Sequence, residues 1–153
     1  MNKNVQRKEI VFIFEGKNIK ISLYNQDNEN KFLNELLEKL QSNEKNLIYS
    51  FEEIPVPERK NKESKKYEYC YLDLSKVKGI IISKDKEIDP RNNTIIILKG
   101  KIIKTRVDPN YLGQIKDALL NGNQKWIYIN GVNEEIIINR EYFMGISITK
   151  HLD

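Results

Sequence analysis

The spacing of hydrophobic and polar residues predicts short β-strands and two helices. From residue 10 to residue 24 the apolar positions are dense and β-branched, and only residues 15–18 interrupt them. This pattern predicts two strands joined by a tight turn at Gly16. Residues 25–30 are polar and are predicted to connect this hairpin to a helix, which an apolar stripe at helical spacing indicates: Phe32, Leu33, Leu36, Leu37 and Leu40.

Three further strands are predicted at residues 47–51, 67–74 and 77–83. Between the first two of these strands, the chain changes character at residues 52–67. Pro55 and Pro57 cannot donate to a central β-ladder, and the charge cluster that follows them has no apolar period. We therefore predict a long basic loop here.

The same succession of elements recurs after a polar linker at residues 84–93. A hairpin turn is predicted at Lys99-Gly100, and a helix is predicted to begin at Asp108-Pro109 and to end at Asn121-Gly122. Strands are then predicted at residues 126–129, 135–139 and 143–149, with a hairpin signal at Asn130-Gly131. The second helix has its own apolar stripe of Tyr111, Leu112, Ile115, Ala118 and Leu119.

Residue-by-residue correspondence predicts an internal duplication. Residues 95–107 repeat residues 11–23 without a gap, at an offset of 95 − 11 = 84, so that Gly16 corresponds to Gly100. The fold class predicted is α+β, with two β-β-α-β-β-β units at residues 10–83 and 94–150. We expect two mostly antiparallel sheets, each with one helix, packed about a pseudo-two-fold axis into one compact unit.

Runs of isoleucine indicate how much of the predicted sheets is buried. Residues 80–82, 95–97 and 136–138 are each Ile-Ile-Ile, which is apolar on both sides of a strand rather than alternating. Such runs are typical of strands covered on both faces. We therefore expect all three strands to lie in doubly covered sheets.

Composition is typical of a globular protein and gives no sign of a membrane or secretion segment. The 153 residues are 39% hydrophobic and 31% charged. No apolar run approaches the ~20 residues that a membrane helix needs, and the polar N-terminus does not have the pattern of a secretion signal. The single cysteine, Cys70, fits a reducing compartment, so we expect a cytoplasmic protein.

Candidate catalytic residues are few, and we predict that the protein is not an enzyme. The only histidine, His151, lies close to the C-terminus, and Cys70 lies in a predicted strand, where we interpret it as a buried structural thiol. One Cys and one His cannot complete a four-ligand zinc site. The acidic pairs Glu52-Glu53 and Glu134-Glu135 are interpreted as solvated hairpin ends rather than metal ligands. No cofactor is predicted.

A formal net charge of +4 favours an anionic partner, and two groups of basic residues are candidate ligand-binding sites. The first group lies in the long loop, where basic side chains precede an aromatic one, an arrangement that can hold phosphates and stack bases. A solvated loop explains the same residues. The members of this group are Arg59, Lys60, Lys62, Lys65, Lys66 and Tyr67.

The second group consists of hairpin lysines that recur in both predicted repeats. Lys17 corresponds to Lys101 and Lys20 corresponds to Lys104. If the two hairpins are related by a two-fold axis, these lysines would frame one cleft for an anion.

From these residues we predict a non-enzymatic binding protein for an anionic ligand, either a nucleotide-like small molecule or nucleic acid. Its Lys-, Asn- and Ile-rich composition and small size resemble those of proteins of low-GC bacteria and their phages. The resemblance implies a small sequestering or regulatory protein that acts stoichiometrically. The alternative is a protein-interaction or inhibitor module that acts stoichiometrically through residues 52–67 or through an exposed strand edge. The sequence predicts neither a particular ligand nor an oligomeric state.

Overall fold

In a computed structural model of the protein, the described residues are 8–23, 26–55, 65–84 and 89–149, with the backbone alone described for 26, 28, 49–55 and 65–69. The helices are α1 (Gln26–Gln41) and α2 (Leu112–Leu120). The strands are β1 (Lys8–Phe14), β2 (Lys17–Leu23), β3 (Asn46–Pro55), β4 (Lys65–Asp73), β5 (Gly79–Ser83), β6 (Thr94–Leu98), β7 (Lys101–Thr105), β8 (Trp126–Asn130), β9 (Glu134–Asn139) and β10 (Phe143–Ile148).

These elements form an α+β protein whose paired strands are all antiparallel in the described residues. The chain divides into two compact units. One unit contains β1, β2 and every element from β5 onward, and the other contains α1, β3 and β4. Elements of the predicted first repeat therefore occur in both units, and the predicted duplication with its pseudo-two-fold axis stays a prediction.

The larger unit is built on a five-stranded sheet in the order β2-β1-β5-β9-β8. The prediction of one sheet per repeat is wrong, because β8 and β9 of the predicted second repeat extend the sheet of β1, β2 and β5. The described strands also form three sheets rather than two. The extension occurs because the Ile-Ile-Ile runs of β5 and β9 pair directly, with Ile80 opposite Ile137.

Both faces of this five-stranded sheet are buried, as its isoleucine runs predict. On one face, Ile13, Ile127 and Ile136 contribute to the core of the unit. On the other face, Phe12, Ile80 and Ile137 form a cross-strand row, and each is at most 2% exposed. Burial on both sides therefore explains why these central strands lack the polar alternation of a half-exposed sheet.

The same unit contains a three-stranded sheet in the order β10-β6-β7. Its inner face packs into the core through Ile96, Leu98 and Ile103, each no more than 4% exposed. Its outer face carries Ile95 and Ile97, which are 41% and 39% exposed. The prediction of a doubly covered strand is therefore wrong for residues 95–97.

Helix α2 begins and ends as the sequence predicts. The side chain of Asp108 accepts a hydrogen bond from the backbone N–H of Asn110 at 2.9 Å, and a 3₁₀ turn at Pro109–Tyr111 leads into the helix. Ile115 is buried in the core, but Tyr111 of the predicted stripe is 41% exposed. No helix in the described ranges is long and apolar enough to cross a membrane.

The smaller unit packs α1 against the β3–β4 hairpin, with Phe32, Leu36, Leu47 and Leu72 buried. Helix α1 begins at Gln26, so the predicted connector at residues 25–30 is largely helical. Acidic residues in its first turn, Asp27 and Glu29, favour this earlier start.

The predicted loop at residues 52–67 is shorter at both ends than expected. Strand β3 extends through Pro55, and β4 begins at Lys65. A proline is tolerated here because this sheet has only two strands, so each strand has one edge that makes no ladder hydrogen bonds. Residues 56–64 lie outside the described residues.

Replacing Asn43 with glycine is expected to raise the free energy of unfolding by about 0.5 kcal/mol. Asn43 ends α1 with a φ of 55°, and its N–H and that of Glu44 donate to the carbonyls of Leu40 and Lys39, which is a Schellman cap. Urea denaturation measures the change, and Asn43→Ala serves as the opposite control because alanine is strained at positive φ. Equal midpoints for the two variants would contradict the argument.

Candidate anion-binding site at two hairpin turns

Two hairpin turns rich in lysine form the candidate site. The first, Glu15-Gly16, joins β1 to β2, and the second, Lys99-Gly100, joins β6 to β7. Gly16 has a φ of 71° and Gly100 a φ of 73°, so both turns use the left-handed conformation that glycine adopts without strain. The turn positions predicted from the sequence are confirmed.

A buried lysine, Lys78, connects the two turns. Its side chain is 3% exposed and forms an ion pair with the carboxylate of Glu15 in the first turn. Its ammonium group also donates to the carbonyl oxygen of Lys99 in the second turn, at 2.5 Å. A buried charge is stable only when it is paired and hydrogen-bonded. The burial of Lys78 therefore fixes the two turns next to each other.

The backbone around Lys78 is fixed by further hydrogen bonds. Its N–H donates to the carbonyl of Ile13 at 2.8 Å, and its carbonyl accepts from Asn139 at 3.0 Å. The second turn is also held to a distant 3₁₀ turn, Arg140–Tyr142, which lies between β9 and β10. The N–H of Lys99 donates to the carbonyl of Tyr142 at 2.9 Å. The ring centroid of Tyr142 lies 5.9 Å from the Lys78 ammonium nitrogen.

The turn pair is electropositive. Residues 15–17 and 99–101 together with residue 78 contain four lysines and one glutamate, so their formal charge is 4 − 1 = +3. Lys17, Lys99 and Lys101 are exposed, whereas Lys78 is internal and is matched by Glu15. Three exposed ammonium groups on two adjoining turns provide the charge to hold a phosphate or another multivalent anion.

The structure brings some of the predicted hairpin lysines into this area and not others. Lys17 and Lys101 each directly follow a turn glycine, so they belong to the turn pair. Lys20 and Lys104 lie three residues further along their strands, about 10 Å away. Lys20 is ion-paired with Glu9 at 3.6 Å, and Lys104 lies on the outer face of the three-stranded sheet, opposite Ile95.

The basic-loop candidates cannot be placed in this site. Arg59, Lys60 and Lys62 lie outside the described residues, and for Lys65, Lys66 and Tyr67 only the backbone at the start of β4 is described. His151 also lies outside the described residues, and for Glu52 and Glu53 only the backbone of β3 is described. What the sequence predicts for all these residues stays a prediction.

Cys70 was predicted to be a buried thiol, and it lies in β4 with intermediate exposure. The residue is therefore partly rather than fully buried.

Sequence reasoning did not identify Lys78. One signal was present: this lysine lies between Val77 and Gly79-Ile-Ile-Ile, in a segment that was predicted to be a buried strand. A charged residue at a predicted buried position indicates a partner, since a lone buried ammonium is very unfavourable. Its partners, Glu15 and Lys99, are far away in sequence, so the sequence does not identify them.

A second charged cluster near the start of β6 serves the fold. The Arg91 guanidinium donates to the Asp89 carboxylate at 3.1 and 2.9 Å and holds the pKa of Asp89 well below its usual range. The amide of Asn133 donates to the backbone carbonyl of Asp89 at 2.5 Å and so ties this segment to the loop between β8 and β9. Within the described ranges, no three His, Cys, Asp or Glu side chains are grouped to hold a metal ion.

Comparison with known proteins gave no match: no family model, no curated protein and no solved structure matches the chain. The functional argument therefore rests on the residues of the site alone.

Proposed function

We propose that the protein binds a phosphate-bearing anion, a nucleotide-like small molecule or nucleic acid, and that the two hairpin turns form the binding surface without catalysing a reaction. The observation that supports this proposal is the pairing of the two lysine-bearing turns through buried Lys78. In this proposal Lys17, Lys99 and Lys101 contact the anion, and Lys78 positions the turns.

The division of roles follows from burial. An exposed lysine approaches a ligand at little desolvation cost, whereas Lys78 already directs its ammonium group at Glu15 and at the Lys99 carbonyl. The half-buried ring of Tyr142 lies beside Lys78 and provides an aromatic surface for an attached base. A phosphate with a planar base therefore fits the available groups better than inorganic phosphate alone.

The test is a thermal-shift screen of the full chain against mononucleotides, cyclic dinucleotides and short oligonucleotides at low and high salt. A ligand class that raises the melting temperature at both salt concentrations is expected, because binding to the folded state stabilises it by mass action. Its affinity for the Lys17→Ala/Lys101→Ala double variant is expected to fall by about tenfold or more, roughly 1.4 kcal/mol.

The matched control is Lys76→Ala/Lys116→Ala, which removes two exposed lysines outside the turn pair and lowers the net charge equally. If both double variants lose the same affinity, the binding is generic charge attraction and the proposed site is wrong. The salt dependence distinguishes the ligand classes. For a nucleic acid, each lost phosphate contact reduces the slope of log K against log salt by about 0.7–0.9.

The alternative of a protein-interaction module acting through residues 52–67 depends on side chains outside those described. A failure of every nucleotide and oligonucleotide to stabilise the chain would favour this alternative over anion binding.

A further inference from the structure

The outer face of the three-stranded sheet is apolar and exposed. Ile97 of β6 lies directly opposite Ile102 of β7, and their exposed fractions are 39% and 56%. Ile95 extends the patch along β6 and is 41% exposed. We name these three residues the outer patch.

The strand composition indicates that this patch is built to be covered. An antiparallel sheet with one face in water normally alternates apolar and polar residues. Strand β6 reads Thr-Ile-Ile-Ile-Leu, so its exposed positions are as apolar as its buried ones. The other isoleucine runs, at 80–82 and 136–138, are buried or half-buried throughout. Of the three runs, only the one in β6 has exposed isoleucines.

The β10 side of the patch leaves room for an additional segment. Gly145 is paired with Ile97, and Ser147 is paired with Ile95, so small residues border the isoleucines. A Cβ atom added at Gly145 would meet no atom within 4 Å. The isoleucines therefore stand beside a shallow trough.

Charge around the patch indicates the kind of partner. Strands β6, β7 and β10 contain no aspartate or glutamate, whereas β7 contains Lys101 and Lys104. Lys104 lies opposite Ile95 and is exposed on the same face. An acidic segment would be attracted to this surface, and a second copy of the same face would bring like charges together.

The size of the patch also argues against a dimer of this chain. Three partly exposed side chains provide roughly a few hundred Å² of apolar surface. A stable protein–protein interface buries about 800 Å² on each partner. A short peptide segment, with a few apolar anchors and flanking acids, matches the available area better than a second folded chain.

We propose that the outer patch binds an acidic amphipathic segment of another protein, with its apolar side chains over Ile97 and Ile102 and a carboxylate near Lys104. This inference does not depend on the proposed anion site, because Lys104 and the residues of the outer patch lie outside the two hairpin turns.

The experiment uses the full chain and two labelled synthetic peptides of about 8 residues, long enough to span β6. One peptide alternates leucine with glutamate, and the other alternates leucine with lysine. Fluorescence anisotropy is expected to show binding of the leucine–glutamate peptide only. Hydrogen exchange is expected to show protection at residues 94–105 and 143–148 in the complex.

Two double variants test the location. Ile97→Ser/Ile102→Ser is expected to weaken peptide binding by about tenfold or more, because it removes both central anchors. Ile48→Ser/Leu120→Ser removes exposed apolar side chains elsewhere and is expected to leave the affinity unchanged. Circular dichroism of each variant establishes that its fold is retained.

Three outcomes would overturn the proposal. The first is that the leucine–glutamate peptide does not bind, and the second is that both double variants lose affinity equally. The third is that the unmodified chain forms a dimer that Ile97→Ser/Ile102→Ser dissociates. The last result would show that a second copy covers the patch. Retained binding after Lys104→Glu at low salt would contradict the charge argument.

Discussion

Replacing Arg140 with methionine is expected to lower the free energy of unfolding by about 2–3 kcal/mol. The guanidinium of Arg140 donates to the carbonyls of Ala118, Leu119, Asn121 and Gln124, at 2.6 to 3.1 Å. These are the last carbonyls of α2 and of the turn after it, which have no partner within the helix. Hydrogen bonds to a charged donor contribute about 1.5–3 kcal/mol each when buried. Partial exposure reduces this total.

Methionine retains an apolar stem like that of arginine but lacks the guanidinium, so the variant removes mainly the hydrogen bonds. Urea denaturation with a constant m-value measures the loss. Arg91→Met is the matched control, since Arg91 is 61% exposed and bonds one carboxylate at the surface. Its midpoint should move much less, because exposed ion pairs contribute little. Equal shifts would show that Arg140 does not cap α2.

Local patterns in the sequence were enough to predict most elements of the fold. The hairpin turns at Gly16 and Gly100 and the cap at Asp108 depend on a few neighbouring residues, and each lies where the pattern indicated. Strand partners depend on residues far apart in sequence. The pairing of β5 with β9 was therefore not predicted, although both Ile-Ile-Ile runs were recognised.

In the candidate site, too, features that depend on neighbouring residues were predicted and those that depend on distant residues were not. The sequence identified Lys17 and Lys101 because they follow turn glycines in similar strands. It did not identify Lys78, whose role depends on a carboxylate 63 residues earlier and a carbonyl 21 residues later. The sequence predicted that the outer isoleucines of β6 are buried, and this prediction is wrong for the chain without a partner. A binding partner would reconcile that pattern with its exposure.

The loop between β8 and β9 shows why a motif can be correct for a reason other than the expected one. Asn130-Gly131 predicted a hairpin, a signal typical of a two-residue turn, and a hairpin is present there. Asn130 is paired with Glu135, however, so the loop is longer, and Gly131 is not among the glycines with positive φ. Glycine is needed at residue 131 because other backbone atoms approach it closely.

Replacing Gly131 with alanine is therefore expected to lower the free energy of unfolding by about 2–3 kcal/mol. The added Cβ would lie 2.5 Å from the carbonyl oxygen of Glu134 and 3.3 Å from that of Arg106. Both are backbone atoms of fixed segments, since the N–H of Val132 also donates to the Arg106 carbonyl at 2.8 Å. The loop must shift as a whole to admit the methyl group.

Gly113→Ala provides a control with the opposite sign. Gly113 lies in α2, and a Cβ atom there would meet no atom within 4 Å. Alanine favours the helix, so this variant is expected to raise the free energy of unfolding by about 0.5 kcal/mol. Urea midpoints of the two variants should lie on opposite sides of the unmodified chain. If Gly131→Ala left the urea midpoint unchanged, the close approach of the Glu134 and Arg106 carbonyls to residue 131 would be wrong, and glycine would be needed there only for the turn.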